Sequence, residues 1–151
     1  MTKNLDNEGL QSIAENYDLF YIDLWGVIHN GIQLHEEAIF TLKKLLNLNK
    51  DFVLLTNAPR PIQSVKEFLE KMGMDKELRD KVFTSGEAAL NYLKKFYSLK
   101  LFYHIGPPRD FDLFKDFKIN KSQDIDKSQY FLCTGLFDDY VKDLNYYKDL
   151  L

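Results

Sequence analysis

FYIDLWGVIHNG, residues 20–31, decides how this chain is read. It begins as an apolar run with aromatic and β-branched residues, the pattern of a buried strand. It then passes through an aspartate, Asp23, into a polar loop whose turn signal is Asn30-Gly31. Working outward, the strand is expected over 19–24 (LFYIDL). Before it, Leu10, Ile13, Ala14 and Tyr17 recur at helical spacing and predict a helix over 7–17. After the loop, Ile39, Leu42, Leu45 and Leu46 predict a helix over 36–48. A second buried strand, DFVLLT (51–56), ends in NAPRP, where two prolines forbid a continuing ladder.

The same alternation continues. Pro61 suits a first helical turn, and the helix after it carries Ile62, Val65, Phe68, Leu69 and Met72 on one side before Gly73. KVFTS is a short strand. Thr84 and Glu87 make a capping box for a helix expected to turn Ala89, Tyr92, Leu93 and Phe96 inward. LFYHI, a short helix over 110–117, QYFLC and a final helix carrying Val141, Leu144, Tyr147 and Leu151 complete the pattern. Strands alternating with helices imply a mostly parallel sheet with helices on both faces.

Composition narrows the function classes. The 151 residues are enough for one ordinary domain, and 45% apolar with 28% charged residues is the range of a soluble globular protein. A formal charge of −3 argues against nucleic acid as a partner, which is held by clustered Lys and Arg. No secretory h-region and no apolar run near the ~20 residues of a membrane span are present, so no membrane partner is expected and a cytoplasmic location is the default. The single cysteine, Cys133, lies in an apolar run and is expected to be a buried, inert thiol. The oligomeric state is not legible.

In open parallel sheets, functional groups collect beyond the carboxyl ends of the strands. Asp23 and Thr56 each stand at such an end. Alone, Asp23 is also what an ordinary strand-ending turn looks like. With Thr56 on a neighbouring strand, carboxylate and hydroxyl would face one crevice: the first can attack phosphorus or bind a metal, and Thr56-Asn57 can donate to phosphoryl oxygens. Mg²⁺ prefers such oxygen ligands and would screen an anionic substrate from an anionic nucleophile.

FYIDLWGVIHNG, VLLTNAPRP and VFTSGEAAL, in that order and spacing, resemble the haloacid dehalogenase (HAD) superfamily, specifically its subfamily IIA, the NagD-like phosphatases. The resemblance runs from the first helix to about residue 145. It implies a HAD-like, Rossmann-type parallel-sheet core over 1–99, incomplete, and the first part of an α/β cap domain over 100–151, apparently truncated. A core with a full cap needs on the order of 250 residues.

The resemblance also implies a hydrolase acting on a small phosphomonoester, a phosphorylated metabolite, through an aspartyl phosphate. Asp23 matches the nucleophile. Thr56, Asn57 and Arg60 match the phosphate-binding positions, and Gly26 the glycine that lets the chain leave the strand tightly. Mg²⁺ is the implied cofactor, bound by Asp23 and the backbone carbonyl of Trp25.

Trp25 is the main departure. Most phosphatases of the superfamily carry a second Asp there as general acid and base, and tryptophan cannot transfer that proton. Such help is worth about 10²–10⁴ in rate, so a substrate with a good leaving group suffers least. His29, four residues on, is an ordinary loop histidine or a substitute proton carrier. The family's third-motif lysine and later acidic metal ligands have no clear counterpart. Asp138-Asp139 could stand in for the acids, but they also suit the start of a helix. The rival reading is a non-catalytic phosphate-binding or interaction module on a degenerate HAD scaffold.

Overall fold

A computed structural model describes residues 5–141 and 143–151. The chain divides into two compact units: residues up to Asn57 with Ile62–Phe83, and Ala58–Pro61 with Thr84–Leu151. No helix among the described residues is long and apolar enough to cross a membrane.

In the first unit, α1 (Leu5–Glu8) and α2 (Gln11–Ala14) stand where one helix over 7–17 was expected. The break falls at Gly9, whose N–H closes α1 on the Leu5 carbonyl. Of the predicted stripe, Ala14 is buried while Tyr17 is exposed. β1 (Leu19–Asp23) pairs in parallel with β2 (Asp51–Thr56), Leu19 opposite Asp51 and Asp23 opposite Leu55. Between them runs α3 (Glu36–Asn47), with acidic residues in its first turn, Lys44 in its last, and Leu42 and Leu45 buried. α4 (Ile62–Lys71) buries Val65 and Leu69, and α5 (Lys76–Arg79) buries Leu78. β3 (Val82–Thr84) completes the strand order β1-β2-β3.

β1 is less buried than its composition suggests. It is an edge strand, and Leu19 and Tyr21 on one face are exposed. β2, between two neighbours, buries Phe52, Leu54 and Thr56. Its ladder continues through the Leu54 N–H, which donates to the Lys81 carbonyl at 2.9 Å.

In the second unit, α6 (Ser85–Phe96) packs by Leu90 and Leu93 with Phe102 and Phe117. Of the expected inward set Leu93 is buried, whereas Tyr92 and Phe96 are exposed and meet as a tilted i, i+4 pair with ring centroids 4.8 Å apart. β4 (Phe102–Ile105) lies between β5 (Lys121–Ser122) and β6 (Tyr130–Cys133), both parallel to it. A run of 3₁₀ turns covers Pro108–Asn120, another covers Asp138–Tyr140, and α7 (Leu144–Leu150) is capped by Asp143. Cys133 is exposed, contrary to the sequence expectation. β6 is an edge strand with one packed face, and Cys133 shares the open face with Phe131.

Candidate functional site

The parallel pairing of β1 and β2 puts Asp23 and Thr56 at the same end of the sheet. Asp23 is opposite Leu55, and Thr56 is the next residue on the neighbouring strand. Strand alternation gives them opposite faces: Asp23 follows Leu19 and Tyr21, whereas Thr56 follows Phe52 and Leu54 into the packed side. A group held by both therefore sits beyond the strand ends, not over either face. Asp23 is exposed and Thr56 is 7% exposed, so the carboxylate is offered to solvent and the hydroxyl comes from a rigid setting. Asn57 is exposed at the start of the loop.

The turn after β1 is built by its own backbone. The Gly26 N–H donates to the His29 carbonyl at 2.8 Å, and the Ile28 and His29 N–H groups donate to the Leu24 carbonyl. Gly26 has φ +77, the left-handed region where a side chain is strained, which matches the tight exit expected of it. Leu24 and Ile28 are buried beneath the turn.

The donor set suits a hard cation. One Asp23 oxygen, Oδ1, accepts the Leu24 N–H at 2.8 Å. Oδ2 and the Trp25 carbonyl accept no hydrogen bond among the described residues. A carboxylate and a carbonyl oxygen two residues apart, with room for waters, are what Mg²⁺ takes in such sites. Among the described residues no group of three or more His, Cys, Asp or Glu forms a metal cage.

His29 is 5% exposed, not an open loop histidine. Its Nδ1 accepts the Gly31 N–H at 3.0 Å, which leaves Nε2 as the nitrogen carrying the proton in the neutral ring. Burial, and next the charge of His35, push its pKa below the ordinary histidine value, while the Asp23 carboxylate opposes the shift. The ring packs edge-on against Trp25 and Phe68, at 5.6 Å in each case. Trp25 itself is 65% exposed.

Arg60 belongs to the second unit, and there the structure supplies a feature the sequence reading missed. The segment after Asn57 is sewn to the start of α6. Thr84 Oγ1 donates to the Arg60 carbonyl at 2.6 Å, Ser85 Oγ to the Ala58 carbonyl at 3.0 Å, and the Gly86 N–H to the same carbonyl at 3.2 Å. A Cβ on Gly86 would lie 2.4 Å from the Arg60 nitrogen, so only glycine permits this approach. The capping box is present as expected, with the Glu87 N–H on Thr84 Oγ1 at 3.0 Å. The available signal was the run of small residues Thr84-Ser85-Gly86, which reads as a cap and doubles as a clamp.

Asp138 pairs with Arg109, and Asp138 and Asp139 open a 3₁₀ turn. His104 is buried with its Nε2 2.9 Å from Thr134 Oγ1, the satisfied setting expected of a histidine in an apolar strand.

Residues 20–120 match the family model of the haloacid dehalogenase-like hydrolases. Solved structures agree. A haloacid dehalogenase-like family hydrolase from Brucella suis 1330 is 27% identical with a TM-score of 0.75, over 99% of this chain and 54% of that one. A protein provisionally named nagD is 25% identical with a TM-score of 0.63, over 89% and 50%. The 4-nitrophenylphosphatase of Thermotoga maritima is 25% identical with a TM-score of 0.62, over 80% and 46%. A more distant likeness, 20% identical with a TM-score of 0.58 over 80% and 36%, is to a glycerol phosphate phosphatase of Mycobacterium tuberculosis solved with calcium. That protein was also solved with magnesium. The chain spans about half the length of the first of these structures. No curated protein sequence matches it significantly.

Proposed function

Because this chain belongs to the haloacid dehalogenase-like hydrolases, of the NagD-like kind, we propose that it carries the nucleophile half of a phosphatase acting on small phosphomonoesters. The observation that carries the reading is the β1–β2 register, with Asp23 opposite Leu55 and Thr56 next in line. An Asp23 oxygen attacks phosphorus as the bond to the leaving oxygen breaks. Water then attacks the aspartyl phosphate, releasing inorganic phosphate and restoring the carboxylate. Thr56 and Asn57 hold phosphoryl oxygens by hydrogen bonds; the resemblance gives Arg60, in the second unit, as a further phosphate-binding residue. Asp23 and the Trp25 carbonyl would hold Mg²⁺, which supplies charge neutralisation between the carboxylate and the anionic ester. His29 is the candidate proton carrier, through Nε2. Residues 100–151 are read as the start of the cap domain and 1–99 as core.

One observation favours a second reading, a module that binds phosphate without turnover: the side chain at position 25 is an indole, which cannot serve as a general acid. Hydrolysis of 4-nitrophenyl phosphate with Mg²⁺, measured beside phosphate binding, separates the two. Hydrolysis lost in Asp23→Asn supports the enzyme. Phosphate binding weakened in Thr56→Val without any hydrolysis supports the module. Neither hydrolysis nor phosphate binding in the unaltered protein overturns both.

A further inference from the structure

At the amino end of the second sheet two loops run side by side. Phe102 opens β4, Lys121 opens β5, and the two are register partners. The residues just before them, 98–101 and 118–120, therefore meet at one edge of the unit. Asn120 ties them together. Its Nδ2 donates to the carbonyls of Ser98, at 3.1 Å, and Lys100, at 3.3 Å, on either side of Leu99. Leu99 is 92% exposed and Ile119, next to Asn120, is 89% exposed, the two highest values among the large apolar residues described. A single exposed leucine is ordinary and carries nothing. Here two aliphatic side chains stand clear of the surface on loops joined by one amide. The charge around them is segregated. Residues 95–101 and 115–121 hold five lysines and one aspartate, in a chain whose net charge is −3. That aspartate, Asp116, is paired with Lys94. Lys95, Lys100 and Lys118 are exposed and form no ion pair among the described residues. Lys95 Nζ lies 5.0 Å from the centre of the Phe96 ring and Lys100 Nζ 4.5 Å from that of Tyr97, which holds two of the charges against the segment that carries Leu99.

We propose that this edge of the second unit docks on the surface of an anionic phospholipid bilayer. Leu99 and Ile119 enter the boundary of the acyl layer, and Lys95, Lys100 and Lys118 meet the lipid phosphates. Charge complementarity selects an anionic surface, since the lysines are clustered at this edge while the chain as a whole is acidic. The form of the apolar part selects lipid over a protein partner. Side chains that protrude singly need no matching pocket in a fluid apolar layer. The long lysine stems bury beside them and leave their ammonium heads among the headgroups. The expectation of no membrane partner rested on the lack of a spanning run and of a secretory h-region, and docking on a surface requires neither. The proposal is independent of any phosphate chemistry at Asp23 and Thr56.

Vesicle co-sedimentation of the full chain tests this. The vesicles are phosphatidylcholine alone, and phosphatidylcholine with about one-third phosphatidylserine. The mixed vesicles are expected to bind the chain at least about 10-fold more tightly than the neutral ones, with affinity falling as salt is raised. Each of Lys95→Gln, Lys100→Gln and Lys118→Gln should weaken binding to the mixed vesicles by about 5-fold. Leu99→Ser combined with Ile119→Ser should weaken it by about 10-fold or more. Both side chains are exposed, so circular dichroism should show the fold of that variant unchanged. Polyglutamate, titrated in parallel, stands for an acidic protein partner. No sedimentation with the mixed vesicles, whether or not polyglutamate binds, overturns the proposal. So does equal binding to both kinds of vesicle, or binding that the paired serine variant leaves undiminished.

Discussion

Thr84 is where one atom has the most to lose. It is fully buried, and its Oγ1 both donates to the Arg60 carbonyl at 2.6 Å and accepts from the Glu87 N–H at 3.0 Å. Thr84→Val keeps the shape and removes both bonds. Losing a helix N-cap costs about 1 kcal/mol. Stranding a buried carbonyl costs about 1–3 kcal/mol. The two bonds share an oxygen and do not add independently, so about 2–3 kcal/mol is expected in total. Thr84→Ser keeps the oxygen and loses one methyl, about 0.8 kcal/mol. Urea unfolding of both variants, with amide exchange read at Glu87, gives the comparison. Valine should be the less stable by at least about 1 kcal/mol, and the Glu87 amide should exchange faster in valine alone. Equal stabilities with an unchanged Glu87 amide would refute the double role of Oγ1, and with it the view that α6 anchors the Arg60 segment.

Gly86→Ala places a Cβ 2.4 Å from the Arg60 nitrogen and 2.5 Å from its carbonyl oxygen, both backbone atoms. Overpacking of that kind costs about 1–3 kcal/mol, readable as a lowered urea midpoint. Ser85→Ala removes an exposed bond to the Ala58 carbonyl and should stay within about 0.5 kcal/mol of the parent protein. Tyr130 has a buried hydroxyl with no hydrogen-bond partner among the described residues, so Tyr130→Phe should leave stability unchanged or raise it by about 1 kcal/mol in the same assay. His104 is held below the ordinary histidine value of 6.5, by burial first and the charge of Lys121 next. The unfolded chain therefore takes up a proton at higher pH than the folded one, and stability falls as pH drops below 6.5. His104→Gln should flatten that part of the pH–stability curve, and an unchanged slope would refute the assignment.

Five of the six strands were legible because short apolar runs bounded by Gly, Pro and Asp leave little choice of element; β5 (Lys121–Ser122) carries no apolar run and was not. Burial was not legible, because composition cannot say which face of a sheet is covered. LFYID and YFLC read as buried on both sides, yet β1 and β6 each leave one face open, which exposes Tyr21 and Cys133. On α6 the expected inward Leu93 is in the core, but Tyr92 and Phe96 form a pair on the outside of the helix, so aromatic spacing stood in for a stripe that belongs to Leu90 and Leu93. That packing also draws α6 into one compact unit with the second sheet, whereas the expected domain division counted it with the first. Of the candidate site, the strand tips could be read from spacing alone. The burial of His29 and the clamp on Arg60 could not, because they depend on contacts between residues far apart in sequence or on a loop folding back.

Position 25 separates two roles that share one residue. On the proposed phosphatase reading, a backbone carbonyl is available whatever the side chain, so a tryptophan at position 25 keeps the Asp23–carbonyl oxygen pair and lacks only the proton transfer. On that reading, the ~10²–10⁴ that general acid catalysis supplies is what His29 would have to provide in place of position 25. The indole rests on Gly31, and His29 Nδ1 accepts the Gly31 N–H. Gly31 has φ +91, so its backbone calls for glycine whatever side chain stands at position 25.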